Sequence, residues 1–185
     1  MNHGQNTSHA DNQQERLIKI GWITGFVDGE GCFSIGFIKQ ADKQEKDRVR
    51  RGYKTGYQVT HEFVVTQGEK SLKSLKILQE YLGVGRIFIN RRHDNHKENL
   101  YRYAVRNKQD LIKVIIPFFR KYSLQTSKQN DFEKFAQCVE MLERQEHLTG
   151  QGIIKIMNIS STMNRKKSRI DLIRILRDHT PTSTK

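Results

Sequence analysis

Cysteine is scarce in this chain, with Cys32 and Cys138 the only two among 185 residues, far apart in sequence. That excludes a disulfide framework and leaves two small thiols in apolar-patterned stretches, as expected of a reducing compartment. Seven histidines are scattered, and none pairs with a cysteine at zinc-ligand spacing, so a zinc finger or ribbon is excluded. No apolar run approaches the ~20 residues that span a bilayer. Met1–Gln14 has neither the apolar centre of a secretory signal nor the Arg-rich amphipathic character of a transit peptide, and reads as a loose tail. The two prolines are ordinary for a compact domain and exclude nothing.

Acid is also in deficit. Twenty Asp and Glu face 33 Lys and Arg, a formal charge of +13. An excess of that size points to an anionic partner, and nucleic acid leads because each neutralised phosphate releases counterions. A membrane surface is the rival, but the sole basic amphipathic candidate is a short helix near the C-terminus, Ser168–Arg177. Charge kept for solubility alone is the bland alternative. The length suits one domain, taken as 15–178 between tails at 1–14 and 179–185.

Hydrophobic spacing orders the elements. Gln13–Val27 turns apolar at helical spacing through Leu17, Ile20, Trp22, Ile23, Phe26 and Val27, and must stop near Gly29 and Gly31. Cys32–Gln40 alternates as a strand, with Phe33, Ile35 and Phe37 on one face. A charged connection over Lys39–Lys54 leads to a second strand at Tyr57–Gln67. Glu69–Leu82 is an amphipathic helix, and Arg86–Asn90 and Leu100–Arg106 form a second hairpin around the basic loop Arg91–Asn99. Asn107 and Asp110 resemble a capping box for a helix to about Pro117; further helices are expected at Lys128–His147 and Ser168–Arg177. Helix, hairpin, helix, hairpin, helix is an α+β layout, with helices on one face of an antiparallel sheet. The other sheet face is largely polar or basic, as suits a ribbon that enters a DNA major groove.

The chemistry concentrates in Ile23-Thr24-Gly25-Phe26-Val27-Asp28-Gly29-Glu30-Gly31. Gly25 and Gly29 share one helical face with no Cβ to hold a second backbone away, so two copies can pack closely. Such packing brings Glu30 of each copy to one point, where carboxylate oxygens suit Mg2+. Asp28-Gly29-Glu30-Gly31 lacks the further oxygen ligands and later Glu of a calcium loop. An ordinary helix stop before a strand is the alternative reading. The segment resembles the motif of the LAGLIDADG homing endonucleases, with conservative replacements and Glu for the final Asp. The resemblance extends through Phe63–Gln67, Tyr81–Ile87, Ile116–Phe119 and Leu124–Phe132.

That resemblance implies an αββαββα fold whose antiparallel sheet is a DNA-binding saddle. It implies catalysis by Glu30, Gln67 and Lys128, with Lys121 as second choice for the lysine, and a Mg2+ or Mn2+ site at Glu30 and Gly29. Where some members carry Arg or Lys four residues after the Gln, this chain has Ser71, so the periphery of the site is open. One motif per chain implies a homodimer through Trp22, Gly25, Phe26 and Gly29, and a palindromic or pseudo-palindromic target cut to leave 3′ overhangs.

Strand alternation nominates Ser34, Ile38, Gln40, Gln58, Thr60, Glu62, Arg86, Phe88, Asn90 and Arg102 for the DNA face, with Arg106 also outward. Lys39, Lys43, Arg48, Arg50, Arg51, Lys54, Arg91 and Arg92 are nominated for phosphates. The partners expected are double-stranded DNA and a second copy, with no membrane. RNA enters if the chain is instead a maturase, and a non-cutting DNA-binding regulator is the other alternative. A ribosomal-type RNA-binding protein, suggested by charge alone, leaves Glu30 without a role. The family implies an organelle or the prokaryotic cytoplasm.

Overall fold

A computed structural model describes residues 5–40, 43–90 and 99–164. Helix α1 covers Gln5–Glu30 and runs without a break into strand β1, Gly31–Lys39. A short hairpin, β2 (Lys43–Glu45) and β3 (Arg48–Arg50), occupies the charged connection. Strand β4 is Tyr57–Gly68, and a 3-10 turn at Glu69–Ser71 leads into α2, Leu72–Leu82. The second hairpin is β5 (Arg86–Asn90) and β6 (Leu100–Val105). Helix α3 (Lys108–Asp110), a π turn (Leu111–Ile115) and α4 (Ile116–Lys121) follow in one run. Helix α5 (Lys128–Glu143), a 3-10 turn (Glu146–Leu148) and α6 (Gly150–Ser161) complete it. This is the expected α+β fold.

The main sheet is antiparallel in the order β1-β4-β6-β5. Phe33 opposes Phe63, and Val65 opposes both Gly31 and Tyr103, so the apolar sides of three strands coincide. Helices cover that side. Phe33 is the hub: its ring stacks on Phe63 at 5.0 Å and lies 5.2 to 5.7 Å from Phe119, Phe132 and Phe135, joining β1 and β4 to α4 and α5. A smaller cluster of Tyr57, Ile153 and Met157 seats α6 against the start of β4.

Several boundaries differ from the sequence expectation. Helix α1 starts at Gln5 rather than Gln13, so part of the segment read as a tail is helical. The first residues are polar, so apolar spacing could not mark the start. Pro117 does not end its helix. It sits in the first turn of α4, directly after the π turn; the wider turn accommodates a ring with no N–H to donate and a tendency to clash with the preceding turn. Asn107 caps as expected, its Oδ1 accepting from the amides of Gln109 (2.8 Å) and Asp110 (3.2 Å). The helix expected over Lys128–His147 stops at Glu143, and α6, unforeseen, follows. The tail at 179–185, the helix expected at Ser168–Arg177, and Arg91 and Arg92 lie outside the described residues.

Candidate catalytic centre and nucleic-acid face

Helix becomes strand within one residue at Gly31, where a Cβ would lie 2.6 Å from the Val27 carbonyl oxygen. Only glycine passes the chain there, and the result is that Glu30 is left at the exposed tip of α1. Among the described residues its carboxylate has no hydrogen bond or ion pair, an open hard-oxygen donor of the kind Mg2+ takes. Asp28, two residues earlier, is committed elsewhere. Its carboxylate accepts from the Gln125 amide (2.8 Å), the Thr126 amide (3.0 Å) and the Thr126 hydroxyl (2.6 Å), tying the loop before α5 to α1.

That tie delivers Lys128. Its ammonium donates to the carbonyls of Val27 (3.1 Å) and Gly29 (3.2 Å), capping the negative end of the α1 dipole. Burial pulls the Lys128 pKa below the usual lysine range, opposed by Asp28, Cys32, Glu30 and Asp131. The Gly29 carbonyl, nominated as a metal oxygen, thus already accepts one hydrogen bond and keeps one lone pair. Lys121 goes elsewhere: its ammonium lies over the Tyr122 ring at 5.4 Å, beside a hollow shared with Arg16. Arg16 precedes Glu30 by about 21 Å of helix. Gln67 sits half-buried at the end of β4, two residues past the Val65–Gly31 pair, with no side-chain hydrogen bond among the described residues.

Up α1 from Glu30, a Cβ on Gly29, Gly25 or Gly21 would meet nothing within 4 Å. This stripe is flanked by Trp22, stacked on Phe26 at 5.0 Å, and by exposed Ile18. Trp22 remains 38% exposed, a large apolar surface for an otherwise satisfied helix. Gly21 belongs to the stripe and follows from the same four-residue spacing.

The strand register resolves the outer face. Ser34 pairs with Glu62, Gly36 with Thr60 and Ile38 with Gln58; Phe88 pairs with Arg102, and Arg86 with Ala104. Ser34, Ile38, Gln58, Thr60, Glu62, Arg86, Phe88, Asn90 and Arg102 therefore share the side away from the helices, and β6 turns Arg102 and Arg106 outward. Gln40 donates to Gln58 at 3.4 Å. Lys39, Gln40, Lys43, Arg50, Arg51 and Tyr53 surround a hollow of about 330 Å3 at the base of the β2-β3 hairpin. Arg48 is exposed on β3, and Lys54 on the following turn. Tyr53, 47% exposed among these cations, escaped the sequence reading because no strand alternation reaches it.

The helix thus ends in an exposed carboxylate, and the open side of the sheet carries Arg86, Arg102 and Arg106. Residues 23–139 match the profile of the LAGLIDADG endonuclease family, and the chain belongs to it. A probable intron-encoded endonuclease of Neurospora crassa is 34% identical over 145 residues, 77% of this chain and 24% of the relative. A probable intron-encoded DNA endonuclease of Mycosarcoma maydis is 32% identical over 111 residues, 58% of this chain and 88% of the relative. The chain spans about a quarter of the length of the curated relatives that it matches first. Among solved structures, the homing endonuclease I-TnaI superposes with a TM-score of 0.68 at 34% identity, covering 86% of this chain and 95% of that one. I-SmaMI bound to cleaved DNA gives 0.69 at 31% identity, covering 88% of this chain and 49% of that one. I-SmaMI has also been solved on uncleaved DNA with calcium ions.

Proposed function

We propose that this chain is a homing endonuclease that works as a homodimer. It makes metal-dependent double-strand breaks in a long, pseudo-palindromic DNA target and so promotes mobility of the intron encoding it. The observation that carries this reading is Glu30, an exposed carboxylate with no hydrogen bond or ion pair among the described residues, at the foot of an open glycine stripe. Closing the stripe of one copy on that of a second sets two such carboxylates side by side, the arrangement that holds Mg2+ or Mn2+ through oxygen. I-TnaI, matched over 95% of its chain by 86% of this one, is a homing endonuclease, which supports the endonuclease reading for a chain of this size.

When bound, the metal supplies a water activated at neutral pH and charge neutralisation at the departing 3′ oxygen. The chain's own residues do the rest. Glu30 would hold the ion, with the Gly29 carbonyl as its neighbour. Lys128, fixed on the helix end, sets a positive charge where the phosphate gains negative charge. Gln67 orients water by hydrogen bonding. The outer faces of two sheets straddle the duplex, with the hairpin cations on phosphates and the strand side chains on base edges. Cleavage across the minor groove leaves 3′ overhangs.

The test is cleavage of a library of candidate DNA sites with Mg2+ by the wild type and by Glu30→Gln, followed by sequencing of new ends. Discrete breaks with 3′ overhangs from the wild type alone support the endonuclease. Specific binding by both proteins with no breaks replaces it with a non-cutting DNA-binding protein of the same fold.

A further inference from the structure

Glu62 stands in the middle of the outer sheet face, yet it is not disposed to read a base. One carboxylate oxygen accepts from Arg102 Nη2; the other accepts from Arg106 Nε at 2.5 Å. The Glu62 side chain is 14% exposed, against 57% for Arg106. Arg106 is held a second way, its guanidinium carbon 5.3 Å from the centre of the Phe88 ring. Because Nε is committed to Glu62, the outermost edge of the fork, Nη1 and Nη2, has no partner among the described residues. Arg106 forms the ridge between two hollows of about 450 and 470 Å3, one walled by Ser34, Thr60 and Arg102 and the other by Arg86 and Phe88.

Ion pairs whose arginine heads stay solvated add little stability, so energy alone does not account for this arrangement. What the carboxylate does is remove rotamer freedom from two long side chains before any ligand arrives. It also repels phosphate oxygens, which argues against a backbone contact at this point. Guanine is the base whose major-groove edge offers two acceptors, O6 and N7, to a guanidinium fork.

We infer that Glu62 is a positioning residue that holds Arg106, on the Phe88 ring, for paired hydrogen bonds to one guanine in each half-site. The inference rests on the proposed reading of this face as the DNA-recognition surface. Arg106 then determines specificity at that base pair, and Glu62 acts through it.

The experiment is enrichment of randomised duplexes by the full chain with calcium in place of magnesium, sequenced after several rounds. It compares the wild type with Arg106→Ala, Glu62→Gln and Phe88→Leu, after their thermal melting has been matched. The wild type is expected to select guanine at one position per half-site. Arg106→Ala loses that preference by roughly 5- to 150-fold with the other positions unchanged. Glu62→Gln and Phe88→Leu weaken the same position selectively. Uniform loss across all sequences with Arg106→Ala makes it a phosphate contact and overturns the inference, as does a Glu62→Gln profile identical to wild type. A wild type that enriches no site overturns the DNA-recognition reading itself.

Discussion

Two acids two residues apart, Asp28 and Glu30, end helix α1 with opposite fates, and substitutions should separate them. Asp28 accepts three hydrogen bonds from the 125–126 loop, so Asp28→Ala should cost about 1–2 kcal/mol in urea denaturation. Cleavage should fall with it, because that loop delivers Lys128. Glu30 has no hydrogen bond or ion pair to lose among the described residues, and Glu30→Gln should alter stability by less than ~0.5 kcal/mol while abolishing cleavage. Equal losses of stability would contradict this division of labour.

His61 makes a prediction in pH. Among the described residues neither ring nitrogen has a hydrogen bond of good geometry, and burial, with Lys108 and His147 adding, pushes its pKa below the ordinary 6.5. The Arg106 backbone opposes the shift. A histidine whose folded pKa is depressed binds fewer protons folded than unfolded, so its contribution to stability is present above 6.5 and lost as pH falls below it. Denaturation midpoints taken from pH 7.5 to 5.5 should decline, and His61→Phe should flatten the decline.

At the scale of elements, α6 depends on a contact that propensity scales miss. A Cβ on Gly152 would lie 1.9 Å from the Glu146 carbonyl oxygen, so Gly152→Ala must displace either the 3-10 turn or the helix. It should destabilise by about 1–3 kcal/mol in chemical denaturation, although alanine is otherwise the better helix former. The α3–α4 run is a second case: a π turn just before Pro117 lets one helix pass a residue that normally stops one.

For the whole molecule, the charge of +13 and the open glycine stripe lead to separate measurements. DNA affinity should fall by a factor on the order of a thousand between about 50 and 200 mM salt, the loss that goes with roughly six phosphate contacts. Gly25 faces open space in one chain, so Gly25→Leu should leave the monomer folded with an unchanged melting curve. In analytical ultracentrifugation the same variant should fail to dimerise, and it should not cut. A Gly25→Leu chain that still dimerises would move the interface off α1.

The sequence by itself determined what is local. The helix ending at Glu30, the alternation of β1 and β4, the two hairpins and the face on which Gln58, Thr60 and Arg102 lie all follow from spacing, since period and burial are set by near neighbours. Lys128 was nominated through the resemblance of Leu124–Phe132 to the family, and the glycine pair through its four-residue spacing. Only the tertiary structure decided which acid of the pair is free, because the partner of Asp28 lies 97 residues away at Gln125. It also decided that Lys128 rather than Lys121 reaches the helix tip, that Glu62 holds arginines 40 and 44 residues on, and that two glycines open a helix at α6. The physical reason is common to the first three. A polar group takes its partner from whatever packing brings within hydrogen-bonding reach, and no periodicity in the chain encodes that neighbour.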